Sequence, residues 1–132
     1  MSETPIGDYA LLSDRHSAAL VSRDGSVDWL CCPRFDSPSV FGALLDPQAG
    51  HWSIRPTGPY TVSRHYIEPT MVLETRFETP TGVLVVTDAF GVSSNDDPHR
   101  LGADAPNLLI RALGCERGTV EVDVQVSPRP EY

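Results

Sequence analysis

At 132 residues, 40% of them hydrophobic and 21% charged, the chain is long enough to close one core and too short to close two, so a single domain spanning residues 1–132 is expected. Its 18 acidic residues against 10 basic ones give a formal net charge of -8. That charge repels phosphate backbones and anionic headgroups, so neither nucleic acid nor a membrane is expected as a partner.

The first residues, "MSETPIGDYALLSD", carry no basic stretch followed by an apolar run, and no segment approaches membrane-spanning length; a cytoplasmic protein is the expectation. The segments "HSAALVS" and "SVDWLCC" flank "RDG", where Asp24-Gly25 supplies the backbone freedom of a tight hairpin. Next comes a crowded loop, "PRFDSP", followed by "FGALLD", which is expected to form one helical turn. "GHWSIRP" and "YTVSRHYIEP" read as extended segments. In "MVLETRF" the residues Met71, Leu73, Thr75 and Phe77 share one face and Glu74, Arg76 and Glu78 the other. "TPTG" then turns the chain into "VLVVTDAF", making a second hairpin.

"GVSSNDDPHRLGADAP" has the composition of a long surface loop. Beyond it, "LLIRALGC" and "TVEVDVQV" are joined by "ERG" as a further hairpin, with Val120, Val122, Val124 and Val126 expected to form a dry face. Seven to nine short strands, each with one apolar face, must stack on one another. The fold expected is therefore all-β, an antiparallel β-sandwich.

Candidate chemistry is sparse. Cys31, Cys32 and Cys115 lack paired zinc spacing and read as small buried hydrophobes. His16, His51, His65 and His99 are scattered, so no metal and no cofactor are expected. Among carboxylates, Asp28 is expected mid-strand, opposite the face shared by Val27 and Trp29. Asp36 and Asp46 precede turns whose N–H groups a carboxylate commonly accepts. None of the three makes a convincing acid–base pair, and no catalytic residue is assigned. Trp29, Phe35, Phe41 and Trp52 admit two readings, a sugar-stacking platform or core packing.

The ordered series "IGDYALLSDRHSAALVSRDGSVDWLCCPRFDSPSVFGALLDPQAGHW", "YIEPTMVLETRFETPTGVLVVTDAF" and "SPRPEY" resembles the N-terminal domain of the trehalase-like and glucoamylase-like enzymes of glycoside hydrolase family fifteen. The resemblance implies a β-sandwich ahead of a toroid of paired helices that holds two catalytic glutamates. No such helical region is present here, so the chain is expected to be the front part of a larger sandwich domain, without activity of its own. Its parent would hydrolyse α-glucosides such as trehalose or malto-oligosaccharides with inversion, using water and a general acid and base. The module would pack against the catalytic helical domain and help shape its substrate mouth. Trp29, Arg34, Phe35 and Asp36 are the residues expected to bind substrate in that parent, because prolines on both sides hold the arginine loop rigid; the alternative, which does not exclude it, is that Arg34 and Asp36 pair with each other or with backbone to hold the corner.

Two other readings stay open: a free-standing carbohydrate-binding module using Trp29, Phe35 and Trp52, and an oligomerisation domain. Shortening a sandwich leaves an unpaired edge. Thr119 to Val126 is the strongest candidate for it, and a homodimer is the expected result.

Overall fold

The computed structural model describes residues 5–14, 16–91 and 108–130. The expected long loop at 91–106 lies almost wholly outside them. Among the described residues, a 3₁₀ turn at Ile6–Asp8 leads into ten strands: β1 (Tyr9–Ser13), β2 (Ala18–Ser22), β3 (Ser26–Cys31), β4 (Ser39–Phe41), β5 (His51–Pro56), β6 (Thr61–Ile67), β7 (Val72–Glu78), β8 (Gly82–Phe90), β9 (Leu109–Gly118) and β10 (Val122–Ser127). They form two antiparallel sheets. Sheet A runs β1-β2-β3-β5-β10, with β4 also paired to β3, and sheet B runs β6-β7-β8-β9. The all-β sandwich is therefore observed.

Both early hairpins form as the turn chemistry requires. Gly25 adopts φ 83° and its N–H donates to the Ser22 carbonyl at 3.0 Å. In the β7–β8 turn the Thr79 hydroxyl oxygen accepts the N–H groups of Thr81 and Gly82. Alternation along β7 buries Leu73, Thr75 and Phe77, while Met71, just before the strand, stays 44% exposed. The inward faces meet as two apolar clusters. One gathers Leu12, Val21, Val27 and Phe41 with Leu73 and Phe90; the other gathers Ile54 with Phe77, Leu84 and Val86. Trp52 packs against both.

Five local expectations change. The segment "FGALLD" is a turn, with the N–H groups of Leu45 and Asp46 donating to the Gly42 carbonyl, and Ser39–Phe41 ahead of it is a strand. Val27 and Trp29 do not share a face. Val21 pairs with Val27 but Leu20 with Trp29, so a bulge at Asp28 turns Val27 into the core and Trp29 to the outer side.

The third hairpin does not exist. Strand β9 pairs with β8 and β10 with β5, so the chain changes sheets between them. Arg117 and Gly118 are still in register with β8, which leaves residues 119–121 to cross. At roughly 3.3 Å per extended residue they span about 10 Å, the spacing of stacked sheets. The departing side is fixed by Thr81, whose hydroxyl donates to the Thr119 carbonyl at 2.6 Å, and on the landing side the Glu121 carbonyl accepts the Thr57 N–H at 3.1 Å.

The valine face is only partly dry. Val120 and Val122 pack on the second cluster, but Val124 and Val126 are 50% and 58% exposed. They lie on β10, which among the described residues is the outermost strand of sheet A and pairs on one side only. Cys115 departs from expectation for the same reason: Cys31 is buried and Cys32 half-buried, but Cys115 is exposed on the outermost strand of sheet B.

Candidate functional site

The loop that follows β3 is built to hold a side chain outward. A cis peptide joins Cys32 to Pro33. The chain then turns, with the Ser37 N–H donating to the Arg34 carbonyl at 3.1 Å and the Arg34 N–H donating to the Ser37 hydroxyl oxygen at 3.1 Å. Backbone and side chain thus close the turn from both directions. Arg34 Nε lies 3.5 Å from Asp36 Oδ1, with the two side chains 75% and 81% exposed, and Phe35 between them is 57% exposed. An ion pair so open to water adds little stability. The structure thus brings Arg34, Phe35 and Asp36 together in one solvent-facing turn, while Trp29 belongs to the strand that leads to it.

A guanidinium, a carboxylate and a ring on one rigid turn can receive a hydroxyl-rich ligand or an opposing protein surface. They cannot by themselves perform acid–base hydrolysis, which needs a second carboxylate across a cleft. The other two candidate aspartates are engaged elsewhere. Asp28 accepts the Tyr9 hydroxyl at 2.6 Å and the Ser26 hydroxyl at 2.5 Å, and Asp46 accepts the Gln48 N–H at 2.9 Å. Among the described residues no three His, Cys, Asp or Glu side chains come together as a metal site, and no helix is long and apolar enough to cross a membrane.

Nor do the tryptophans form one platform. Trp52 pairs with the inward-facing Val27, and its ring packs against Phe41 at 6.4 Å and under the Arg111 guanidinium at 5.3 Å. Trp29 lies on the opposite face of the same sheet. Flat exposed rings on a common patch are what sugar stacking needs.

A fully enclosed ion pair lies outside the candidate residues that the sequence offers. Arg111 and Asp88 form an ion pair at 2.7 Å with both side chains fully enclosed. Arg111 also donates to the carbonyls of Trp52 at 2.6 Å and Gly25 at 2.8 Å, so a single guanidinium bridges sheet B to sheet A. Burial pushes the Asp88 carboxyl above its ordinary value, with the bond from Arg111 pulling the other way. Burial likewise raises the thiols of Cys31 and Cys32. A charged residue at a core-facing position in each of two adjacent strands was the available signal for the pair.

The family model described as trehalase-like, N-terminal, matches residues 1–132. The chain belongs to this family. It is 43% identical over 141 aligned positions to the trehalase of Mycobacterium tuberculosis, covering 97% of this chain and 20% of that protein. The trehalase of Mycolicibacterium smegmatis gives 43% identity, covering 97% and 21%. Trehalase 1 of Sulfolobus acidocaldarius is 41% identical over 91 positions, covering 68% of this chain and 16% of its own length. No solved structure matches significantly. This trehalase-like N-terminal domain spans about a fifth of the length of the first two relatives.

Proposed function

We propose that this domain is the non-catalytic module of a cytoplasmic glycoside hydrolase of family fifteen type. It would pack against a catalytic helical domain and present the Arg34–Asp36 turn near the mouth where an α-glucoside enters. Trehalose is the first substrate to consider and malto-oligosaccharides the second, as for a glucoamylase. The reading is carried by the match to the trehalase-like N-terminal family model and by the alignment of 97% of this chain to about a fifth of proteins named trehalase, joined to a turn with one open carboxylate that faces no second carboxylate across a cleft among the described residues.

Incubated with trehalose, maltose or malto-oligosaccharides, the 132-residue chain is expected to release no glucose above a buffer control. Release that vanished on replacing Asp28 or Asp36 would overturn the assignment. In a full-length enzyme carrying this module, Arg34→Ala is expected to lower kcat/KM by about tenfold or more while changing stability by less than about 0.5 kcal/mol, because the exposed side chain acts through position rather than packing. A fall in melting temperature with kcat/KM unchanged would make the turn a purely structural corner.

The separation of Trp29 from Trp52 onto opposite faces disfavours a free-standing carbohydrate-binding module. Self-association is retained: we take the isolated chain to be a homodimer.

A further inference from the structure

The two lateral ends of the sandwich are finished differently. At the β1/β6 end, side chains of the edge strand β6 seal the gap. The Tyr66 hydroxyl accepts the Leu11 N–H at 3.0 Å and donates to the Leu11 carbonyl at 2.8 Å, and Arg64 donates to the carbonyls of Val21 and Asp8. The β9/β10 end has inward-facing apolar groups left wet. Val124 and Val126 pair with the core-facing Ile54 and Trp52, and Leu113 with the core-facing Val86. Yet they are 50%, 58% and 49% exposed.

The outer edge of β10 is also a strand edge with a defined hydrogen-bonding frame. The Thr57 N–H donates to the Glu121 carbonyl, and the ladder continues from Val122 opposite Pro56. Odd-numbered residues of β10 therefore exchange their bonds with β5, and the N–H and C=O groups of Val122, Val124 and Val126 point away from it. Pro56, which has no N–H to give, stands opposite an even-numbered residue, as this frame requires. Among the described residues β10 pairs on this one side only.

The sequence along that edge, Val122-Asp123-Val124-Gln125-Val126, is nearly its own complement when read in the antiparallel sense. A two-fold axis at Val124 sets Val124 against Val124 and Val122 against Val126 on the inner face. On the outer face it sets Asp123 against Gln125, an acceptor against an amide donor. Val122, Val124 and Val126 then exchange N–H···O bonds with the second copy in frame. The neighbouring two-fold registers are worse. Centring on Asp123 opposes two carboxylates, centring on Val122 opposes Glu121 to Asp123, and centring on Gln125 or Val126 sets Pro128, which has no N–H, opposite Val122 or Val124 inside β10, whereas the Val124 axis sets it opposite Val120, outside the strand.

We propose that a second copy of this chain pairs antiparallel along β10 about a two-fold axis at Val124, joining the two A sheets into one and covering the exposed valines of each copy. The inference rests on the homodimer reading above and is independent of any role in hydrolysis.

Sedimentation and light scattering from micromolar to millimolar concentration test it. The wild-type chain is expected to dimerise, more tightly as salt screens the net charge of -8. Val124→Pro deletes an N–H that faces the partner and not β5, so it is expected to weaken the dimer by about tenfold or more and leave the monomer's circular dichroism unchanged. Gln125→Lys, placed opposite Asp123 of the second copy, is expected to tighten the dimer by about two- to fivefold, and Gln125→Glu to loosen it by a similar factor. A dimer unmoved by all three substitutions overturns the β10 interface while leaving self-association intact. Loosening by both Gln125 variants alike overturns the register. A monomer at every concentration and salt overturns both the interface and the homodimer.

Discussion

Replacing Arg111 with alanine is expected to cost about 3–5 kcal/mol of unfolding free energy, enough to leave a domain of ordinary stability close to unfolded. The size follows from what one side chain holds. Its guanidinium is enclosed, and removing it strands the Asp88 carboxylate together with the Trp52 and Gly25 carbonyls that it serves. Arg111→Met combined with Asp88→Leu should cost less than Arg111→Ala alone, because the double change leaves no buried charge behind. Equal losses in urea denaturation would show that packing, and not the stranded carboxylate, sets the penalty.

The pH dependence has a definite sign. Burial raises the folded Asp88 carboxyl above 3.8, so the folded chain holds this proton more tightly than the unfolded chain. Its contribution to stability is fully present below the unfolded value and is lost as pH rises through the raised folded one. Relative to Asp88→Asn, the wild-type chain should therefore lose stability as pH rises across that window. A gain would mean that Arg111 outweighs burial. In Arg111→Ala the stranded carboxyl can neutralise itself by taking a proton, so the penalty of that substitution should shrink in acid.

Gly25→Val is expected to cost about 2–4 kcal/mol by the same measurement, through a different cause. The residue sits at φ 83°, where a β-branched side chain is strained, and an added Cβ would run into the Ile54 carbonyl of the neighbouring strand. The Gly25 carbonyl also receives the Ile54 N–H at 3.1 Å and one Arg111 nitrogen at 2.8 Å. Moving this turn therefore disturbs β5 and the buried ion pair together. A loss below about 1 kcal/mol, the usual range for a surface turn, would show that the turn relaxes without pulling on either.

Alternation placed β7 and its buried Leu73, Thr75 and Phe77 correctly, because a two-residue period is a local property of any extended chain with one wet face. Asp24-Gly25 marked its hairpin since the positive φ is a demand of the turn itself. The same period misplaced Trp29, because a bulge inserts a residue without leaving a mark in hydrophobic alternation. For the candidate site, the prolines around Arg34 announced a constrained loop. The hydrogen bonds between Arg34 and Ser37 that close it became visible only in three dimensions.

What the amino-acid sequence determined by itself was the inventory: short extended segments, their turns, an all-β class and membership in a family whose motifs run through most of the chain. Tertiary structure decided the pairings. Which sheet β10 joins depends on the distance that residues 119–121 can cross and on the strand edge that β5 offers, neither of which a local pattern encodes. The Arg111–Asp88 bridge is likewise non-local, since its partners are brought together only when β8 and β9 align and sheet A closes over them. A buried charge is tolerable only with its partner in place, so its meaning could be read only after the strands had been assembled.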